Sequence, residues 1–342
     1  MSKPKVLIIY TGGTIGMIRD EKKGTLKPFR LERVVKSIPS ILELGIEIHA
    51  IELEEIIDSS NITLKVWIEL AGIIEKYYKK FDGFVILHGS DTMAYSASAL
   101  SFLLENLGKP VIFTGSQLPI GLPRTDAREN LITALSIAAM RNENGQSLIP
   151  EVCIYFEDQL YRGNRTYKFN SENFDAFVSR NYPILAEAGV RIRIFEERLL
   201  TQSNEDFIVH TAMNPNVAVL KLFPGITLKS FPKLFLDSGI QAVILETYGS
   251  GNGPTCDNFL SAVEEMIYND IIIINITQCQ EGKVEMGKYE TSEKLLKLGV
   301  IGGADLTFES AITKAMFVLG LTDNLNERRQ MLKKPLRGEM TL

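Results

Sequence analysis

Short apolar runs that end in a turn of Gly, Ser and Thr, then hand over to a helical stretch, constrain this chain most. The first is Val6-Leu7-Ile8-Ile9-Tyr10, followed by Thr11-Gly12-Gly13-Thr14-Ile15-Gly16. Phe84-Val85-Ile86-Leu87 runs into His88-Gly89-Ser90-Asp91-Thr92-Met93 and a helical stretch from Ala94 to Leu104. Val111-Ile112-Phe113-Thr114-Gly115-Ser116 and Val152-Cys153-Ile154-Tyr155-Phe156 follow. An apolar run bounded by turn residues reads as a buried strand. Strand and helix in alternation give a mainly parallel sheet with right-handed crossovers. In such sheets ligands bind at the carboxyl edge. Two threonine hydroxyls, on Thr11 and Thr14, therefore sit where a strand passes into a glycine turn that lets another group approach closely.

The intervening segments fill in the pattern. Arg19 to Pro28 is polar and turn-rich, and reads as a flap over the carboxyl edge. A helix is expected from about Leu31 to Ile38, stopped by Pro39. Ile46 to Leu53 alternates apolar and polar residues as a strand does. Asp58-Ser59-Ser60-Asn61 is a group of capping residues before a helix over Leu64 to Tyr78. Gly121 to Arg128 reads as a loop and Leu131 to Met140 as a helix. Val190–Ile194 and Phe207–Val209 read as a pair of strands around a polar stretch. A second α/β unit starts at Val217, with strands at Ala242–Leu245 and Ile271–Asn275 and helices over Asn258–Tyr268 and Leu306–Leu319. The expected organisation is a larger N-terminal domain over 1–189, a linker over 190–213 and a smaller C-terminal α/β domain over 214–342.

Composition narrows the function. The length of 342 residues suits two domains, and the net charge of −5 gives no general drive towards nucleic acid or an anionic membrane. Arg328, Arg329, Lys333, Lys334 and Arg337 read as a solvated helix face. Cys153, Cys256 and Cys279 form no disulfide framework, and His49, His88 and His210 have no metal-ligand spacing. No apolar run approaches a membrane span, and the N-terminus does not read as a signal peptide, so the expected location is cytoplasmic.

The two hydroxyl-bearing strand ends carry the chemistry. A hydroxyl nucleophile needs a base, because a free alkyl hydroxyl is barely ionised at neutral pH. Ser90 stands beside Asp91, while His88 precedes the turn and reads as a core residue. There is no Gly-x-Ser-x-Gly elbow, which argues against an ordinary serine hydrolase.

Thr-Gly-Gly-Thr-Ile-Gly together with His-Gly-Ser-Asp-Thr-Met resembles the bacterial-type L-asparaginase family. Leu160-Tyr161-Arg162-Gly163-Asn164-Arg165-Thr166, Asn275-Ile276-Thr277-Gln278-Cys279 and Gly299-Val300-Ile301-Gly302-Gly303-Ala304-Asp305 resemble its cytosolic, type I branch. The likeness runs over essentially the whole chain. It implies the two-domain asparaginase-like α/β fold and hydrolysis of L-asparagine to L-aspartate and ammonia. Thr14 matches the family's nucleophile, which forms a β-aspartyl ester. Ser90 matches a threonine of the second catalytic group, with Asp91 and Lys168 as its partners. Ser59 and Ser60, with Asp58, Gly89, Ser90 and Asp91 around them, match the positions that hold the substrate's α-carboxylate and α-ammonium. The backbone N–H groups of Thr14 and Ser90 would supply the oxyanion hole. The resemblance implies no metal or organic cofactor, a small-molecule substrate, no nucleic-acid or membrane partner, and a homodimer or homotetramer.

The chain departs from the family pattern in three places. Ser90 keeps the hydroxyl of the usual threonine but loses the methyl group that stiffens it. Thr25 stands where many members place a flap tyrosine, and Tyr289 matches a tyrosine that some type I members use instead. Glu246 replaces an arginine that, in some type I enzymes, grips a second asparagine as activator. A carboxylate cannot take that role, so this effector site is expected to be lost or altered, although Asn275, Thr277 and Cys279 remain. Ser90, Lys168 and Tyr289 are, in that order, the candidates for receiving the Thr14 proton. Competing readings are the related amidotransferase subunit that feeds ammonia to a charged tRNA, a dinucleotide-binding protein and a non-catalytic amino-acid sensor. Gly12-Gly13-x-x-Gly16 lacks the dinucleotide fingerprint, which weakens the second of these.

Overall fold

The structure, a computed structural model, describes residues 3–19, 26–28 and 38–342. The helix expected over Leu31 to Ile38 and the centre of the flap, with Thr25, lie outside the described residues except for Ile38. Met17–Arg19, leading into the flap, and Leu26–Pro28, at its end, pair as a short antiparallel ribbon. The chain divides into two compact units, Met1–Thr211 and Ala212–Leu342.

The first unit is built on an eight-stranded sheet. Its strands are β1 (Lys5–Tyr10), β2 (Glu47–Glu52), β3 (Gly83–Leu87), β4 (Val111–Thr114), β5 (Val152–Phe156), β6 (Gln159–Arg162), β7 (Ala186–Ala188) and β8 (Ile192–Ile194). The first five are parallel, in the order β2-β1-β3-β4-β5. β6, β7 and β8 then add on as antiparallel strands at the far side. From β1 the chain moves outward to β2, then returns across β1 to β3 and continues the other way. Strand order therefore reverses between β1 and β3, and a doubly wound sheet opens its ligand crevice at such a switch point, outside the carboxyl ends.

Both faces of the central strands are covered. On one face Val6, Ile8, Tyr10, Val85, Leu87 and Ile112 pack with Ala127, Leu131, Ala134, Leu135 and Ala138 of a helix over Ala127–Ala138. The alternate residues Leu7, Ile9, Phe84, Ile86 and Phe113 are equally buried. This is why the runs are continuously apolar rather than alternating. Two further helices, Leu64–Tyr77 and Met93–Leu103, complete the crossovers, and the second is buried on nearly every side because its Ala and Ser residues let it lie close to its neighbours. In chain order these three helices are α1, α2 and α3.

Three expectations need correction. α3 begins at Ala127, inside the stretch read as a loop to Arg128. Asp126 at its start accepts the backbone N–H groups of Gln117 and Leu118, and Thr125 Oγ1 accepts that of Ala127, so polar side chains build a helix start where local composition reads as loop. The strands expected as partners across the linker do not pair with each other. β8 pairs with β7, and Ile208–Val209 pairs with Leu104–Glu105, so the stretch through Thr211 is tied into the first unit. Finally, Arg328 is no solvated helix residue. It is 8% exposed, and its guanidinium donates to Leu319 O, Thr322 O and Asp323 Oδ1.

The second unit carries a four-stranded parallel sheet of β9 (Val217–Lys221), β10 (Ala242–Thr247), β11 (Ile272–Thr277) and β12 (Ile301–Gly302), in that order. Its core gathers Leu220, Val243, Leu245, Phe259, Val263, Met266, Ile273 and Leu295. No helix among the described residues is long and apolar enough to cross a membrane.

Candidate active site

The loop after β1 is held from several directions. Thr11 is buried, and both its N–H and its hydroxyl donate to Leu87 O at the end of β3, so it is scaffold. The Tyr10 hydroxyl reaches across the loop and donates to Gly16 O at 3.1 Å. Burial, then the charge of Glu52, pushes that phenol up to about 12, so it stays a donor at any working pH. Gly13 has φ 91°, and a Cβ there would stand 2.5 Å from Gly89 N. A Cβ on Gly89 would in turn stand 2.4 Å from Ser59 Oγ. The loops of Gly13 and Gly89 thus touch backbone to backbone and the Ser59 side chain packs onto Gly89, approaches that only glycine permits, and Thr14 follows directly at the start of a 3₁₀ turn, Thr14–Gly16.

The loop after β3 carries the polar cluster. Lys168 Nζ donates to Ser90 Oγ at 2.8 Å and to Asp91 Oδ1 at 2.7 Å. Because an ammonium has no acceptor, Ser90 Oγ is the acceptor there and its own proton is free to point elsewhere. It donates to Gln117 Oε1 at 3.3 Å. Lys168 lies in a two-residue strand, Tyr167–Lys168, paired to Phe177–Val178, which sets its backbone in place.

The loop after β2 supplies the remaining wall. Asp58 Oδ1 accepts both the N–H and the hydroxyl of Ser60, and these hydrogen bonds hold the carboxyl below the usual range, so Asp58 is an anion at neutral pH. Ser59 is buried, and its carbonyl accepts the Thr92 hydroxyl at 2.7 Å.

Gly13, Thr14, Met17, Asp58, Ser59, Gly89, Ser90, Asp91, Gln117, Lys168 and Ser171 line one cleft of about 230 Å³. Among these described residues Met17 is the one with a purely apolar side chain. The volume falls below the range of about 300–1,000 Å³ typical of drug-sized ligands. A small, polar, zwitterionic molecule fits its size and its mixed charge.

The structure brings together Thr14, Asp58, Ser59, Gly89, Ser90, Asp91 and Lys168 among the residues singled out from sequence. It does not place Ser60 on the cleft wall, since that hydroxyl is spent on Asp58. Tyr289 belongs to the second unit, where it is 51% exposed and caps a helix over Glu290–Leu298. Gln117 and Ser171 were missed. Gln117 follows the Thr114-Gly115-Ser116 turn at the end of β4, so the edge rule that drew attention to β1 and β3 would have found it. Ser171 carries no such signal.

His88 is the core residue that its position suggests. Nδ1 lies 2.7 Å from Gly89 O, an acceptor only, so Nδ1 carries the hydrogen. Nε2 then accepts from Ser96 Oγ at 2.9 Å, and Ser96 Oγ accepts from Trp67 Nε1 at 2.9 Å. Burial pulls His88 down to about 4. The unfolded chain binds its proton near pH 6.5 and the folded chain only near 4, so stability is complete above about pH 6.5 and falls as acid is added. The loss attributable to His88 is about 3 kcal/mol by pH 4. Urea melts of the protein and of His88→Gln at pH 7 and 4.5 check this. The variant is expected to lose distinctly less stability over that interval, and equal losses would exclude the effect.

Among the described residues no group of three His, Cys, Asp or Glu could hold a metal ion. Comparison with known proteins completes the picture. Residues 5–200 match the family model described as "Asparaginase, N-terminal", and residues 216–332 match "Glutaminase/Asparaginase C-terminal domain". The chain is 42% identical over 342 residues to L-asparaginase 1 of Escherichia coli (strain K12), covering 100% of this chain and 99% of that one. It is 40% identical over 363 residues to the 60 kDa lysophospholipase of Mus musculus, covering 99% of this chain and 63% of that protein. The crystal structure of L-asparaginase I from Vibrio cholerae O1 biovar eltor str. N16961 superposes with a TM-score of 0.89 at 37% identity, covering 99% and 100% of the two chains. Two family models matched in order along nearly the whole chain, on a doubly wound fold with its cleft at the switch point, show that this chain belongs to the asparaginase family.

Proposed function

We propose that this protein is an L-asparaginase that hydrolyses L-asparagine to L-aspartate and ammonia. The observation that carries the reading is the hydrogen-bonded series Ser90–Lys168–Asp91 in the same small polar cleft as Thr14. Thr14 Oγ1 attacks the side-chain amide carbon, its proton passes by way of the Ser90 hydroxyl towards the departing nitrogen, and the Lys168 ammonium holds the Ser90 oxygen as the charge moves. The C–N bond breaks, the departing nitrogen takes a proton and leaves as ammonia, and a β-aspartyl ester remains on Thr14. Water then cleaves the ester, releasing aspartate and restoring the Thr14 hydroxyl. Backbone N–H groups of Thr14 and Ser90 serve the tetrahedral oxyanion. Asp58 and Asp91 face the substrate's α-ammonium, with Ser59 at the α-carboxylate end.

The name of the mouse relative points to an ester of a lipid. Among the described residues the cleft wall is carboxylates, hydroxyls, amide and ammonium with Met17 as its one apolar side chain, so the amino-acid amide is the better fit. An ammonia-release assay with asparagine and glutamine, run beside a fatty-acid-release assay with a lysophospholipid, tests the reading; ammonia from neither amide would end it.

The absence of the effector arginine is part of the same proposal. Glu246, its replacement, lies 3.6 Å from Lys221 with its carboxylate largely buried. The rate is expected to rise hyperbolically with asparagine concentration, and a sigmoidal curve abolished by changes at Thr277 would refute this. The proposed setting is the cytoplasm, in keeping with three unpaired cysteines of which Cys256 and Cys279 are exposed. The proposed assembly is a homodimer or homotetramer, which light scattering of the purified protein measures.

A further inference from the structure

Ser90 poses a positioning problem that the rest of the cleft has to solve. A serine hydroxyl can occupy three staggered positions, whereas a β-branched threonine is restricted. Only one of those positions continues the series to Lys168.

The Ser90 hydroxyl is gripped from two sides. Lys168 Nζ donates to it at 2.8 Å, and Gln117 Oε1 accepts its proton at 3.3 Å. Which end of the Gln117 amide faces Ser90 is settled by its other partner. Gln117 Nε2 donates to the carbonyl of Asn173 at 3.0 Å, and a carbonyl can only accept, so the oxygen is the end turned to Ser90.

Gln117 is itself anchored. Its N–H donates to Asp126 Oδ2 at 2.9 Å, and the next N–H, of Leu118, donates to Oδ1 at 3.1 Å. Asn130 Nδ2 holds the same carboxylate at 3.3 Å and also binds Gly115 O at 3.0 Å. The Asn173 end is fixed as well, because the N–H of Asn173 donates to Asn170 Oδ1 at 3.2 Å. A side chain braced at its backbone and at its amide nitrogen leaves its oxygen one direction.

We infer that Gln117 is a positioning residue that stands in for the missing methyl group of Ser90, holding the Ser90 hydroxyl in the rotamer that connects it to Lys168. Gln117 acts through Ser90 and needs no contact with substrate to do so. The inference rests on the proposed role of Ser90 in amide hydrolysis, but its structural half stands apart from that reading.

The test is a double-mutant cycle with a structural arm. Gln117→Met keeps the length of the side chain and removes the acceptor; thermal melting confirms that it folds. In the parent protein Gln117→Met is expected to lower kcat for asparagine about tenfold, the worth of one such hydrogen bond, with KM changed less than twofold. In the Ser90→Thr background, where the methyl group restricts the rotamer, the same change is expected to cost less than twofold. Equal costs in both backgrounds, or no cost in the parent, would overturn the inference. High-resolution crystal structures supply the arm that needs no activity. Ser90 is expected in one rotamer in the parent and in more than one in Gln117→Met, and a single unchanged rotamer in the variant overturns the inference even if the parent releases no ammonia. A parent that releases no ammonia while the variant splits the rotamer would instead overturn the asparaginase reading and keep the positioning role.

Discussion

Thr14→Ala is expected to reduce ammonia release from asparagine about a thousandfold or more, with a melting temperature within about 2 °C of the parent. The size follows from chemistry. Without the Thr14 oxygen no ester can form, and what remains is a cleft that binds and polarises an amide with no attached nucleophile. The small effect on stability follows from position. Thr14 is partly exposed in a short 3₁₀ turn whose shape is held by Gly12, Gly13 and the Tyr10–Gly16 hydrogen bond rather than by its own side chain. Thr14→Ser keeps the hydroxyl and is expected to retain measurable turnover, whereas Thr14→Val keeps the shape and is expected to be as inactive as Thr14→Ala. Near-parental turnover by Thr14→Ala would show that the nucleophile is another group.

The largest expected loss of stability comes from Glu151→Ala, far from the cleft's chemistry. Glu151 and Arg162 form an ion pair with side chains 2% and 4% exposed, with Nε to Oε2 at 2.6 Å. Glu151 Oε1 also accepts the N–H of Leu200 at 2.8 Å, and Arg162 Nη2 donates to Arg198 O at 2.9 Å. Arg162 lies over the Tyr182 ring at 4.2 Å as well. Burial alone would pull the guanidinium down, but the charge and hydrogen bonds of Glu151 more than offset it and hold it above its ordinary value. Removing the acid leaves a buried cation and an unpaired N–H. The cost of breaking such a pair is about 3–5 kcal/mol. At roughly 2–4 °C per kcal/mol for a domain of this size, the melting temperature should fall by about 6–20 °C. The double change Glu151→Leu with Arg162→Met is expected to recover most of that loss, because two apolar groups carry no desolvation penalty. Calorimetry of the parent and the two variants measures it, and a fall below about 2 °C for Glu151→Ala would mean that water reaches the pair.

Both predictions draw on features of different visibility. The loop of Thr14 was legible because its causes are local. A continuous apolar run and a glycine turn adjoin in the sequence, and the sheet that they imply has a known ligand edge. The same holds for the loop of Ser90 and for Ser59. The ion pair was not legible, since Glu151, just ahead of β5, meets Arg162 on β6 only through an antiparallel strand pairing that no local signal announces. Nor was the burial of Arg328, whose apparent place in a basic cluster hid three carbonyl and carboxylate partners. Ser60 shows what a motif match leaves out: the family likeness sets its hydroxyl among the substrate-binding positions, and in the folded chain that hydroxyl donates to Asp58 Oδ1.

The sequence by itself determined the strand and helix succession, the two α/β units, and the family likeness that singled out Thr14, Ser90, Asp91 and Lys168. These depend on periodicity and on motifs a few residues long. Only the tertiary structure decided which polar side chains meet. Lys168 and Ser90 are 78 residues apart in the chain, and Gln117 stands 27 from Ser90. Their contact exists because the strand order reverses between β1 and β3, while β4 and the Tyr167–Lys168 strand bring two more loops to that same edge. A hydrogen bond needs its partners within about 3 Å, and sequence spacing holds no such distance.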